Sequence, residues 1–499
     1  MFMIVFVAVF VVVWVLHEIF IKPKGAPPGP RPVPILGNVL SLPSIADLMF
    51  SELTRQYGPV FSVWVVKNHF VYITDFELIK DALVRQGDIF AERPYGFFYD
   101  YMFGTGNLRG LVQTTGPRWK EQRRFFMHTL KEFGMARRLM EDRIGTEVFR
   151  LTAHLDGLIE QAKGKTVINL TQKLDICVGS VIGKLLFGRP IEYDDEEFLK
   201  IRAFVSKLSD TSPLLIFVDS YPWLRHIPLF GHFGFDEFEQ LDKEIRQYLE
   251  REISNHRQSL CPEQEPSDYL YAFLKEQHQR RQAGNESTFT DDQLFAVSHD
   301  FLTGGIETTS STLSWFFLYL LHHPKIHDSI RDQVDRNLSL YDRASMSHKK
   351  HMPYLVAAIH EVQRLGSVIP VGAARQTNKD CCLGSHFLKA GTVTLPVFSA
   401  VHQDARYFPE PKSFKPERFL EADGRSIKKY DQLVSFGLGG RQCAGEALAD
   451  MELFIILSTL LRRYKITVAE DHPLPSVQPA YDTITRAAQQ YMVAIEKRL

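Results

Sequence analysis

The sequence predicts a mainly α fold with a small β region, preceded by an N-terminal transmembrane helix. Three observations carry that expectation. Helical periodicity runs through most of residues 130–290 and through a capped apolar stretch that ends at His323-Pro324. Period-two alternation is confined to short pieces, residues 61–74 around Lys67-Asn68 and residues 391–398. The first 21 residues are an apolar run, broken at His17-Glu18 and resumed at Ile19-Phe20-Ile21.

That first run is long enough to cross a bilayer, which takes about 20 residues. Lys22, Lys24 and Arg31 follow it, so the body stays cytosolic and the N-terminus faces the lumen. A cleaved signal fits less well, because no basic segment precedes the run and no small-x-small site follows it. Residues 22–38 hold Gly25-Ala26-Pro27-Pro28-Gly29-Pro30-Arg31-Pro32, a stiff hinge between anchor and body. Residues 39–499 show no further linker and read as one catalytic domain. The 499 residues are 45% hydrophobic, enough for a large core. A net charge of -1 argues against nucleic-acid binding. Five scattered cysteines do not make a disulfide framework and fit a reducing compartment.

Taken in order, residues 61–74 form a hairpin and residues 76–84 a helix. Residues 91–116 are rich in aromatics and glycine without periodicity, and read as a loop. A basic helix opens at Arg118-Trp119-Lys120-Glu121-Gln122-Arg123-Arg124, with Trp119 and Arg123 on one face. Helices follow over 133–160, 173–187, 197–209 and 235–258. Residues 214–224 are apolar and broken by proline, suiting a substrate roof or a membrane-touching segment. The sequons at Asn169, Asn285 and Asn337 are expected to be unused, since the orientation keeps them out of the lumen. Thr290 and Gln293 make a capping box for a helix of thirty-odd residues, roughly 50 Å long. Its centre carries Gly304-Gly305-Ile306-Glu307-Thr308-Thr309. Each glycine there costs about 1 kcal/mol relative to alanine. A broken local rule together with a lone carboxylate points to function, whereas glycines that permit a close helix crossing would be the plainer explanation. Glu361 and Arg364 share a face of a helix that starts near Pro353. In Phe436-Gly437-Leu438-Gly439-Gly440-Arg441-Gln442-Cys443-Ala444-Gly445, a cysteine sits among four glycines at the start of an apolar helix over 444–463. The helix N-terminus favours thiolate, and Arg441 adds a cation able to pair an anionic ligand.

The pattern Phe436-x-x-Gly439-x-Arg441-x-Cys443-x-Gly445 resembles the haem-ligand signature of the cytochromes P-450 at every fixed position. The resemblance extends from anchor to last strand and is closest to the microsomal clan of drug- and steroid-oxidising enzymes and their arthropod relatives. It implies the mainly helical cytochrome P-450 fold and a haem b (iron protoporphyrin IX) with Cys443 as its axial thiolate. Arg441, Arg375, Arg123, Trp119 and Arg93 would hold the propionates. Thr308 would orient protons or water over the iron and Glu307 would relay them, in a groove where the helix is loosened for dioxygen. Arg418, of Pro416-Glu417-Arg418-Phe419, would join Glu361 and Arg364 in a buried network. Residues 368–375 would line the pocket, and residues 481–485 would make the last substrate contact. The activity implied is oxygen insertion from O2 into a lipophilic small molecule: a steroid, terpenoid hormone, fatty acid or xenobiotic. Electrons would come from NADPH through the NADPH-cytochrome P-450 reductase, with cytochrome b5 as a second donor, at the endoplasmic reticulum membrane. Arg118, Lys120 and Arg124 would be a docking patch. Two alternatives stay open. A haem-thiolate isomerase or dehydratase acting on peroxides would commonly lack the acid-threonine pair. A non-catalytic haem-binding sensor would not need that pair or the basic patch.

Overall fold

The computed structural model describes residues 9–10, 12, 25–33, 35–39, 46–103, 109–135, 137–193, 195–209, 213–230, 234–285, 288–340, 342–482 and 484–498. The expected anchor over 1–21 lies almost wholly outside the described residues. Among those described, no helix is long and apolar enough to cross a membrane.

The helices of twelve residues or more are α1 (Ala46–Tyr57), α2 (Gly116–Glu132), α3 (Arg138–Gln161), α4 (Leu170–Phe187), α5 (Glu196–Ser209), α6 (Asp236–Gln258), α7 (Tyr269–Gln282), α8 (Asp291–His322), α9 (Pro324–Asn337), α10 (Pro353–Gly366) and α11 (Glu446–Arg463). The helix expected from residue 133 starts only at Arg138, because Gly134 turns the chain at φ +92°. Asn169 of the first sequon caps α4, its side chain accepting from Gln172 N at 3.3 Å.

The axis of the molecule is α8, whose 32 residues are buried on nearly every face. It packs along α4, which is also buried almost all round. The two can touch because of Gly305: a Cβ there would meet Ile182 Cδ1 at 2.6 Å. Gly304 has open space instead, with nothing within 4 Å of an added Cβ. The two glycines therefore answer different needs, one a helix crossing and one a cavity. Thr290 caps α8 by accepting from Gln293 N at 3.2 Å. Gln293 does not return the favour as a capping box would. Its amide instead brackets Gly110, accepting from Gly110 N at 3.2 Å and donating to Gly110 O at 3.0 Å. That ties the 110–114 segment to the long helix.

The β region is small, as expected. The hairpin β1 (Val60–Val65) and β2 (Asn68–Ile73) pairs Val60 with Ile73 through Val65 with Asn68. Further strands are β3 (Lys165–Ile168), β4 (Arg375–Gln376), β5 (Val393–Pro396), β6 (Tyr464–Val468) and β7 (Val493–Lys497). The first sheet has the order β1-β2-β5-β4, with β2 and β5 parallel. The second runs β3-β7-β6, antiparallel throughout. The strand expected over 391–398 stops at Pro396, and Phe398 opens a short helix, Phe398–His402.

Two expectations are corrected. Within residues 91–116, Phe97–Phe103 is helical. Its aromatics settle on α6 and the turn before it: Phe98 packs edge-on to Phe238 at 5.0 Å and Tyr101 onto Phe235 at 5.2 Å. Tertiary burial supplies the order that local periodicity did not signal. The described part of the proline-rich segment is no free spacer either. Ser62 N donates to Pro28 O at 2.7 Å, and a Cβ on Gly29 would lie 1.9 Å from Ser62 O. It is clamped along β1.

The buried acid–base network forms as expected. Glu361 and Arg364 are 0% exposed and bidentate, with Nε–Oε2 2.8 Å and Nη2–Oε1 2.9 Å. Arg418 Nε adds a bond to Glu361 Oε1 at 3.1 Å, and Lys415 N another at 2.8 Å. Arg364 Nη1 reaches His402 O and Pro411 O, joining α10 to the segment before the cysteine loop. Removing the one anion strands two guanidinium groups. Glu361→Ala should lower stability by about 3–5 kcal/mol, read from the urea midpoint, while Glu410→Ala on the exposed rim should leave the midpoint nearly unchanged.

Candidate active site

The cysteine loop is shaped by its glycines. Gly437 and Gly439 adopt φ of +74° and +75°. A Cβ on Gly439 would lie 2.0 Å from Leu83 O, so this position requires glycine twice over. Cys443 N donates to Phe436 O at 2.9 Å and closes the loop. The sulfur then meets the backbone N–H groups of Gly445 and Glu446, at the first turn of α11. It is open to the cavity on one side and packed in protein on the others. Burial pushes the thiol above its ordinary value, against the pull of those two amides and of Arg123. The helix terminus pulls toward thiolate, as expected, through the Gly445 and Glu446 amides. Burial is the larger effect, and a metal cation at the sulfur is what would reverse it.

A cavity of about 400 Å³ opens beside Cys443. Arg93, Trp119, Arg123, Thr308, Arg375 and Arg441 all line it, although they come from five separate segments. Arg93 is held by backbone carbonyls, with Nε to Val112 O at 2.7 Å and Nη1 to Ala373 O at 3.0 Å and Ala374 O at 2.6 Å. Arg123 Nη2 donates to Gln442 O at 2.5 Å, and Arg441 Nη2 to Thr114 O at 2.6 Å. Trp119 is flanked by both, Arg441 at 4.3 Å from its ring and Arg123 at 5.7 Å.

Among the described residues none of these four arginines forms an ion pair. The Nε atoms of Arg375 and Arg441 are buried with no partner at all. Burial, and then mutual repulsion, draws Arg375 down to about 8 and Arg441 to about 9; burial draws Arg93 to about 10. Buried cations outside any ion pair are costly, and the pull of Asp300 on Arg93 and of Glu92 on Arg441 offsets only part of that, so the cluster is built for an anionic ligand. Two carboxylates on an apolar, planar body would suit the four guanidinium groups, the indole and the apolar lining of Phe126, Phe301, Ile369 and Leu448. The residues present fit an iron porphyrin, with the Cys443 sulfur available to hold its metal.

The centre of α8 forms one wall. Thr308 lines the cavity, and its Oγ1 donates to Gly304 O at 2.8 Å. The helix is regular through this point, so the loosening expected there amounts to a hydroxyl sharing a carbonyl rather than a break. Glu307 is corrected more strongly. It does not reach the cavity. Its carboxylate is ion-paired with Arg202 of α5, accepts from Ser311 Oγ at 3.2 Å and takes a longer bond from Thr485 at 3.4 Å. Arg202 also grips Asp175 of α4, at 3.0 Å. One residue on a helix is a rotation of about 100°, so neighbours in sequence point to different flanks. Residues 368, 369, 372, 373 and 375 line the cavity as anticipated. Thr483, in the proposed last substrate turn, lies outside the described residues.

Two acids on the cavity were not anticipated. Asp300 accepts from Leu111 N at 2.6 Å and Val112 N at 2.9 Å, and burial raises it to about 6. Glu452 of α11 is 1% exposed, hydrogen-bonded to Thr309, and raised by burial to about 8. A carboxylate within the apolar runs of α8 and α11 was the available signal for each.

A family model described as cytochrome P450 matches residues 27–495. The chain is 34% identical over 487 residues to "Probable cytochrome P450 CYP36A1" of Caenorhabditis elegans, covering 96% of each. It is 32% identical over 499 residues to cytochrome P450 2D9 of Mus musculus, covering 98% of this chain and 97% of the relative. It is 32% identical over 455 residues to cytochrome P450 2D6 of Homo sapiens, covering 90% and 89%.

The arginine cluster makes a metal-free prediction. Iron-free protoporphyrin IX should bind the apoprotein and raise its melting temperature. The dimethyl ester, identical but for its two charges, should bind on the order of 10²-fold more weakly. Equal affinities measured by fluorescence titration would remove the cluster from ligand binding.

Proposed function

The chain belongs to the cytochrome P450 family, and from that premise we propose that it is a membrane-bound haem-thiolate monooxygenase acting on a lipophilic small molecule, with electrons from NADPH delivered by a reductase. The supporting observation is the meeting of Cys443, a cluster of arginines outside any ion pair and Thr308 on one cavity. In this reading Cys443 Sγ would hold the iron, and Arg93, Arg123, Arg375, Arg441 and Trp119 would hold the two propionates. When bound, the haem supplies dioxygen activation and oxygen insertion.

The remaining chemistry belongs to the chain. The Gly445 and Glu446 amides and Arg123 stabilise negative charge on the Cys443 sulfur. Phe126, Phe301 and Leu448 keep the walls dry and apolar, which suits a steroid, terpenoid hormone, fatty acid or xenobiotic. Thr308 Oγ1 holds a proton at the cavity wall. Glu307 can join a proton relay only by first leaving Arg202. Trp223, Ile227 and Leu229 are exposed, at 61%, 37% and 55%, and fit a face that rests on the endoplasmic reticulum membrane with the catalytic body in the cytosol. Lys120 and Arg124 are exposed on α2, with Arg118 half-buried beside them. They are offered as the docking patch for the reductase, with cytochrome b5 as a second donor.

Cys443→His should abolish the red-shifted Soret band of the reduced carbon monoxide complex; an unchanged spectrum would exclude Cys443 as the ligand. Thr308→Ala should keep that band and substrate affinity, while product formed per NADPH falls by up to about 10²-fold and hydrogen peroxide rises. A product-to-peroxide ratio equal to wild type would reduce Thr308 to a helix residue.

Charge reversal at Lys120 and Arg124 should raise the apparent KM for the reductase and flatten its salt dependence. Turnover supported by an artificial oxygen donor should be untouched. Parallel loss by both routes would mean that the patch serves haem retention instead.

A further inference from the structure

The Phe97–Phe103 helix is seven residues long, too short to be stable on its own hydrogen bonds. Its ends are held from outside. At the N-terminus the Asp219 carboxylate accepts from the backbone N–H groups of Phe97 and Phe98, the latter at 3.2 Å. At the C-terminus Arg246 donates to Met102 O, and Arg109 Nη1 donates to Phe103 O at 2.5 Å. An anion at the N-terminal end and cations at the C-terminal end are the charges that a helix dipole favours. Asp219 belongs to the Pro213–Ser220 helix and Arg246 to α6. Both segments lie over the short helix as a roof.

Side chains strengthen the same union. Beyond the packing of Phe98 on Phe238 and of Tyr101 on Phe235, the Tyr101 hydroxyl donates to Glu239, and the Arg225 guanidinium lies 5.2 Å from the Phe97 ring. Toward the β1–β2 hairpin the roof is held more lightly. Asn68 Nδ2, at the hairpin tip, donates to Ser220 Oγ at 3.2 Å. Lys67 Nζ lies 4.9 Å from the Tyr221 ring, and its charge also acts on Asp219. A neutral hydrogen bond and a cation over a ring are weaker than charge-assisted caps backed by aromatic burial. This weaker seam leads inward. β2 pairs along β5, whose last residue, Pro396, lines the cavity beside Cys443. On the helix side, Tyr99 is buried close enough to Asp300 and Arg93 to be acted on by both, and these two residues also line the cavity.

We propose that the Phe97–Phe103 helix is carried by the roof, with Asp219 and Arg246 as its positioning residues, and that a lipophilic substrate enters through the seam at Lys67 and Asn68 rather than between helix and roof. On opening, the Asn68–Ser220 and Lys67–Tyr221 contacts part while the caps at Asp219 and Arg246 stay closed. The helix moves with the roof and withdraws Tyr99 from Asp300 and Arg93, which widens the cavity. The choice of ligand rests on the monooxygenase reading; the docking of the helix does not.

The test uses the purified full-length holoenzyme in stopped flow, with a biphenyl-substituted imidazole as probe, because its binding at the haem shifts the Soret band. Two engineered disulfides separate the two routes. Gly96→Cys with Asp219→Cys bridges helix and roof, where a Cβ on Gly96 would lie 3.6 Å from Asp219 Oδ1. Asn68→Cys with Ser220→Cys bridges hairpin and roof. Once oxidised, the first pair should bind the probe within about 3-fold of its own reduced rate, and the second on the order of 10²-fold more slowly than when reduced. Carbon monoxide, small enough to need no opening, should bind every form at one rate. Equal slowing by the two bridges, or no slowing by the second, overturns the proposal. Should a bridge fail to form, Asp219→Ala decides. It frees the helix N-terminus and opens a second route, so amide hydrogen exchange over residues 97–103 and the probe's association and dissociation rates should all rise about 10-fold. Asp219→Asn, which keeps an oxygen acceptor, should recover most of the difference, and Arg246→Met should act in the direction of Asp219→Ala. Probe rates equal to wild type in Asp219→Ala, whether or not amide exchange quickens, overturn the proposal equally. Failure of the monooxygenase reading would look different, because wild type would lack the red-shifted carbon monoxide band while the amide-exchange pattern remained.

Discussion

Among the described residues four guanidinium groups meet in this molecule outside any ion pair, with only Asp300 and Glu92 acting on them from farther off, and much of the architecture follows from that imbalance. Arg93 comes from the loop before the Phe97–Phe103 helix, Arg123 from α2, Arg375 from β4 and Arg441 from the cysteine loop. Backbone carbonyls of Val112, Ala373, Ala374, Gln442 and Thr114 satisfy part of their hydrogen-bonding capacity. They cannot cancel the charge, and two Nε atoms stay orphaned. A dianion bound here would tie four distant pieces of chain together, so its binding energy is also folding energy.

The network of Glu361, Arg364 and Arg418 is the opposite case. It is as deeply buried, but it carries its own anion and a full set of carbonyl acceptors. It can form without any ligand. One cluster completes itself and positions the segments leading to the cysteine loop; the other is completed only from outside.

Between them α8 acts as a partition whose two flanks differ chemically. One flank offers the cavity Gly304, Thr308, Thr309 and Thr312, with Asp300 at its near end. The other presents Glu307 to Arg202 and, through it, to Asp175. Two buried carboxylates on the neighbouring helices α8 and α11 thus have opposite electrostatic surroundings. Glu307 faces a cation, whereas Glu452, across from Thr309, faces none. With no cation beside it, burial holds the Glu452 carboxyl above its ordinary value.

Several features were readable from sequence because they are local. A cysteine among four glycines just ahead of a helix, an i, i+4 pair at Trp119 and Arg123, and the cap at Thr290 are each encoded within a few residues. Their spacing along the chain determines their geometry, which is why the cysteine loop, the long helix, the hairpin and the family resemblance were legible without coordinates. The side of α8 on which Glu307 falls was decided elsewhere, by Arg202 and Asp175 on two other helices. The Phe97–Phe103 helix depended on Phe235 and Phe238, far along the chain. Glu452 looked like one polar interruption in an apolar run, and only the packing of α11 against α8 placed it on the cavity and stripped it of counter-charge. Short-range backbone preferences are written in neighbouring residues. Burial, desolvation and the partner of a charge are set by whatever the fold brings near, and no local stretch of sequence contains them.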